Sequence, residues 1–142
     1  MATAQSQIAA LLESQSQAIL AKNVDRLMSL YSPDVVYFDV VPPLQYAGAA
    51  ALRERFSQWF DGYNGAIDMQ IQDVHVLGSE DFAVACRFSR VSGTLKNGYE
   101  VGSWVRVTST CQRSDRGWVI THEHVSLPVD LMSGSAAKDL VP

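Results

Sequence analysis

Two of the three histidines, His122 and His124, stand two residues apart in the stretch Gly117-Trp118-Val119-Ile120-Thr121-His122-Glu123-His124-Val125-Ser126-Leu127-Pro128. Its β-branched and aromatic content, with turn residues before and after, predicts a strand. Side chains at i and i+2 of a strand point to one face. The two imidazoles therefore share a wall with Trp118, Ile120 and Ser126. Histidines so placed can move a proton near neutral pH as general acid or base. His-x-His can also present two nitrogens to one metal ion, but no third ligand is identifiable and no metal is expected. Beside these stands a plain structural reading, in which both rings bond to Ser126, Thr108 or the backbone within a sheet interface.

Asp39 is the strongest single candidate for chemistry. It closes the apolar run Val35-Val36-Tyr37-Phe38, and burial of a carboxyl raises its pKa toward values useful to a general base or acid. Its structural reading is a strand-end residue bonding a backbone amide. Tyr37 shares a face with Asp39 and can donate a hydrogen bond to a substrate oxygen, or be core with its hydroxyl at the rim. Trp104, Arg106 and Thr108 alternate on one face of another strand. Arg106, flanked by Val105 and Val107, needs an anionic partner, either a ligand or Asp39 or Glu123 of the chain itself. Arg87, in Ala85-Cys86-Arg87-Phe88-Ser89, repeats that argument more weakly. Trp59, Phe60 and Tyr63 end a predicted helix as an aromatic group that lines a pocket mouth or belongs to the core.

The elements that position these residues follow from periodicity. Ile8, Leu11, Leu12, Ala18 and Ile19 form a helical stripe over residues 4–21. Asn23 caps a second helix, with Val24, Leu27, Met28 and Tyr31 on its buried side, ended by Ser32-Pro33-Asp34. Residues 35–40 form a short strand stopped by Pro42-Pro43. Gly48 opens a third helix from Ala49 to about Tyr63, with Leu52, Phe56, Trp59, Phe60 and Tyr63 along one side. The period then changes to two, with strands near 67–77, 81–93, 99–113 and 117–127 joined by three tight turns into an antiparallel meander. Residues 1–128 read as a single domain and 129–142 as a tail, mobile or reaching to a partner subunit. The fold class is α+β, with helices on one face of a curved antiparallel sheet.

A chain of 142 residues with net charge −4 has no basic stripe for nucleic acid and no apolar run long enough to span a membrane. The N-terminus lacks the pattern of a secretory signal. Cys86 and Cys111 read as buried free thiols, so a cytoplasmic setting is expected. No glycine-rich nucleotide motif, Cys-x-x-Cys pair or nucleophile elbow occurs, and no cofactor is expected.

Leu30-Tyr31-Ser32-Pro33-Asp34-Val35-Val36-Tyr37-Phe38-Asp39, Gly48 with Leu52-Arg53-Glu54-Arg55-Phe56, Trp104-Val105-Arg106-Val107-Thr108 and the last strand resemble the NTF2-like superfamily. The likeness spans roughly residues 5–128 and is similar to its SnoaL-like branch, to ketosteroid isomerase and to the association domain of calmodulin-dependent kinase II. It implies a cone of three N-terminal helices on a curved antiparallel sheet, with a deep pocket between helices and concave face. It also implies a homodimer packed through the sheets. Asp39 looks like the counterpart of the isomerase base, an Asp–His pair resembles the superfamily's dehydratases, and Arg106 is placed in the pocket by the same likeness. The chain departs from the isomerase in having no acidic partner on the fifth strand and no tyrosine in the first helix.

These readings point to a small-molecule pocket and cofactor-free acid/base chemistry (isomerisation, dehydration or cyclisation). The substrate would be small and apolar, with a carbonyl or carboxylate. Asp39, His122, His124 and Tyr37 are the candidate catalytic residues, and Arg106, Trp59, Tyr63, Phe60, Arg87 and Thr108 the candidate ligand contacts. The alternative is a non-catalytic ligand-binding or oligomerisation module. The fold hosts both, so it does not decide.

Overall fold

The computed structural model describes residues 3–142. Thr3 caps α1 (Ala4–Leu20) by accepting a hydrogen bond from the Ser6 amide, and Asn23 does the same for α2 (Val24–Met28) through Arg26; each satisfies an amide that the first helical turn leaves free. β1 (Tyr31–Phe38) and the two-residue β2 (Tyr46–Ala47) precede α3 (Ala49–Asp61). β3 (Tyr63–Gly78), β4 (Phe82–Leu95), β5 (Glu100–Ser114) and β6 (Gly117–Ser126) form the meander, and β7 (Val129–Asp130) with β8 (Ser135–Ala136) makes a small separate hairpin.

The large sheet has the order β2-β1-β6-β5-β4-β3. All its pairings are antiparallel except β1 with β6. α1 packs on β3 and α3 on β1, so one face of the sheet is covered by helices. Ile8, Leu12, Leu27, Leu52, Ile67 and Ile120 meet in the core between them. Burial of each such side chain contributes about 1.5–3 kcal/mol.

Four boundaries differ from the sequence reading. α2 stops at Met28, and β1 starts at Tyr31 rather than at Val35. Pro33 is tolerated because the pairing of β1 with β6 breaks register between Tyr31 and Val36, where no ladder needs its missing N–H. α3 ends at Asp61, so Tyr63 begins β3 instead of ending the helix. Cys111 is buried, but Cys86 is exposed on the other face of the sheet. Within the 129–142 tail, Val129–Asp130 and Ser135–Ala136 pair as a hairpin.

Candidate functional site

Helices α1 and α3 leave a cavity of about 260 Å³ against the concave face of the sheet. Its walls are mostly apolar, from Ile19, Phe56, Trp59, Met69, Val91 and Val105 among others. Two polar groups interrupt them, one at the end of β1 and one on the floor formed by β4, β5 and β6.

The β1 group is Tyr37 and Asp39, which the two-residue period of a strand puts on the same side; both line the cavity. Arg55 comes from α3 and its Nε donates to Asp39 Oδ2 at 2.8 Å. This pair is largely shielded, with 18% of the Arg55 side chain and 10% of the Asp39 side chain exposed. The Val40 amide donates to Asp39 Oδ1 at 2.7 Å. Tyr37 packs its ring edge-on against Phe56, 5.5 Å between centroids. Its hydroxyl has no hydrogen-bond partner among the described residues. Burial, then the negative charges of Glu123 and Asp39, push the Tyr37 hydroxyl well above the usual tyrosine range. At neutral pH the Tyr37 hydroxyl therefore keeps its proton as a free donor into the cavity that Asp39 also lines.

The floor is centred on Glu123, which is buried. Its Oε1 accepts from the Tyr31 hydroxyl at 2.7 Å and its Oε2 accepts from Ser109. Gln15 Nε2 donates to both oxygens at 3.1 Å. Arg87 Nη2 stands 3.5 Å from Oε2, while Arg87 also donates to Ser109 Oγ at 2.8 Å and to Gln15 Oε1 at 3.0 Å. The floor is thus a closed network, apart from Arg87 Nε, which has no partner. Burial, followed by the Glu123 charge, also holds the Tyr31 hydroxyl well above its ordinary pKa. Each arginine in the cavity already faces a carboxylate of the chain, Arg55 with Asp39 and Arg87 with Glu123.

Of the residues singled out in the sequence, Asp39, Tyr37, Trp59, Tyr63 and Arg87 line the cavity. His122, His124, Arg106 and Thr108 do not. They lie on the opposite, uncovered face of the sheet. His122 Nδ1 is 2.6 Å from the Val36 carbonyl, and its ring packs edge-on against Phe38, as does that of His124. Arg106 donates to Ser126 Oγ at 3.0 Å. A register shift in the pairing of β5 and β6 after Cys111–Ile120 explains the reversal. An extra residue at a bulge exchanges the faces of everything that follows. Ile120 is fully buried, yet beyond the bulge the inward positions are Glu123, Val125 and Leu127. Phe60 is core and does not reach the cavity.

Sequence reasoning missed Glu123, Gln15, Tyr31 and Arg55 as cavity residues. The alternation Glu123, Val125, Leu127 does carry a signal, since a carboxylate in register with two apolar residues must be buried and partnered. No comparable signal marks Gln15 or Arg55, because a single polar residue on a helix fits either face.

No group of His, Cys, Asp or Glu side chains suited to hold a metal ion occurs among the described residues. No helix among them is long and apolar enough to cross a membrane.

A helix-covered curved sheet with a cavity between its helices and its concave face defines the NTF2-like class. A crystal structure of an NTF2-like protein of unknown function from Pseudomonas putida matches with a TM-score of 0.88 at 26% identity, covering 98% of this chain and 96% of that one. A ketosteroid isomerase-like protein from Erwinia carotovora atroseptica matches with a TM-score of 0.72 at 20% identity, over 84% of this chain and 92% of that one. A candidate dehydratase of the NTF2-like family from Streptomyces avermitilis gives 0.76 at 19% identity, over 84% and 93%. The last two likenesses concern the fold alone. The family model for the SnoaL-like domain matches residues 8–130, and the chain belongs to that family. No curated protein matches.

Proposed function

We propose that the protein binds a small neutral carbonyl compound in this cavity and moves a proton on it without a cofactor, as an isomerase, dehydratase or cyclase does. The observation that carries the reading is that the Tyr37 hydroxyl, free of any hydrogen bond among the described residues, and the Asp39 carboxylate line the same wall of a mostly apolar cavity, apart from the closed polar network of its floor. Asp39 takes the proton from carbon next to the carbonyl. Tyr37 donates its hydrogen bond to the oxygen on which negative charge then develops, an interaction that strengthens in the transition state. Arg55 and the Val40 amide hold the carboxylate in place.

Charge favours a neutral ligand over a carboxylate. An anion would have to displace Asp39 from Arg55 or Glu123 from Arg87, and breaking a buried pair costs about 3–5 kcal/mol. Trp59, Phe56 and Tyr63 supply flat apolar walls for a ring. A ligand carrier is the second reading, favoured by the salt bridge that already occupies Asp39. The two unpaired cysteines fit a reducing, cytoplasmic compartment. The uncovered sheet face fits a homodimer packed through the sheets.

Saturation-transfer NMR with acetophenone and benzoate tests the ligand class. Acetophenone should bind, and Tyr37→Phe should weaken it about tenfold for one hydrogen bond lost. Preference for benzoate, or no binding of either, would contradict the reading.

A further inference from the structure

Residues 129–136, after β6, form an arm whose side chains are exposed. Backbone bonds from Gly134 to Asp130 (2.7 Å) and from Ala137 to Pro128 (2.8 Å) close the β7–β8 hairpin. The Met132 amide adds a bond to Asp130 Oδ1 at 2.9 Å. The turn is therefore held in one shape. Its tip presents Leu131 and Met132, 92% and 97% exposed, with Val129, Leu140 and Val141 also exposed along the arm. An apolar tip that is almost fully exposed and fixed by its own hydrogen bonds is preorganised to bind, because little ordering entropy remains to be lost.

The same chain offers a surface that matches it. The outer face of the sheet carries Phe38, Val84, Phe88 and Trp104, all only half-buried. Arg106 is exposed on that face beside Ser126, close to the root of the arm. It has no carboxylate partner among the described residues. The arm carries Asp130 and Asp139 against one cation, Lys138. Asp130 uses Oδ1 to close its turn, which leaves Oδ2 for an outside cation. With so little positive charge, the arm does not suit an anionic lipid surface.

We propose that the 129–136 hairpin is an arm that seats on the uncovered sheet face of a second copy of this chain, with Leu131 and Met132 buried there and Asp130 facing Arg106 of that copy. Two-fold pairing makes the contact reciprocal, so each copy gives one arm and receives one. The inference rests on the homodimer reading above.

Sedimentation velocity over a range of concentrations tests it, with wild type, Leu131→Asp/Met132→Asp and Arg106→Ala. The substituted side chains are exposed in the single chain, so thermal melting should show all three folded. Wild type should be a dimer. The double variant should raise the dimer dissociation constant at least about tenfold, given two apolar side chains per arm, and Arg106→Ala should raise it severalfold. A wild-type dimer whose dissociation constant is unmoved in the double variant would overturn the arm and leave the homodimer standing. A wild type that stays monomeric throughout would overturn both.

Discussion

Glu123 accepts from Tyr31, Ser109 and Gln15 and faces Arg87, so its replacement by glutamine strands a buried guanidinium. Glu123→Gln should lower the unfolding free energy by about 3–5 kcal/mol, read by urea denaturation. A loss below 1 kcal/mol would mean that the floor is not the closed network described. Cys111 gives a pH prediction at the same scale. Burial, followed by the Glu123 charge, pushes its thiol from 9.0 up to about 12. Between those values the unfolded chain has lost the thiol proton and the folded chain still holds it. Stability contributed by the thiol is whole below pH 9 and falls as pH rises, by about 1.4 kcal/mol per pH unit. Tyr31 and Tyr37, raised mainly by burial, add to the fall above about pH 10. Comparing wild type with Cys111→Ala at pH 8.5, 9.5 and 10.5 isolates the thiol. Parallel curves for the two proteins would contradict its burial.

At the scale of elements, β6 decides which side chains can do chemistry. Its bulge after Ile120 turns Glu123 inward and His122 and His124 outward. The double variant His122→Ala/His124→Ala should therefore leave acetophenone binding unchanged, whereas Trp59→Ala, which removes a cavity wall, should weaken it at least about tenfold. Loss of binding in the histidine variant would place the site on the wrong face of the sheet. The limit of the sequence reading lies here. Period two marks a strand but not its phase, and one extra residue shifts that phase without trace in composition. Asp39 and Tyr37 were legible because the register shift in β1 lies before Val36 and the strand is regular from there on. Arg87 was legible as a buried cation needing a partner, but its partner Glu123 sat between two histidines that drew the chemistry to themselves. Arg55 is set by how α3 packs on β1, a tertiary fact that its own neighbours do not encode.

For the whole molecule, helices first and long strands after them suffice to indicate an α+β fold with helices on one sheet face, because an antiparallel meander with one apolar face must be covered on that face; the cone comes from the family resemblance. The other face and the arm bear on the proposed dimer, and the cavity on the proposed reaction. The central claim is that Asp39 takes a proton from a neutral carbonyl compound bound beside Tyr37. The most direct measurement is exchange of the α-protons of acetophenone for deuterium in D2O, followed by proton NMR with wild type and with Asp39→Asn. The account predicts exchange above the buffer rate with wild type and a loss of about 100-fold or more in Asp39→Asn, the scale of a general base. Equal exchange in the two proteins, with acetophenone bound by both, would contradict it.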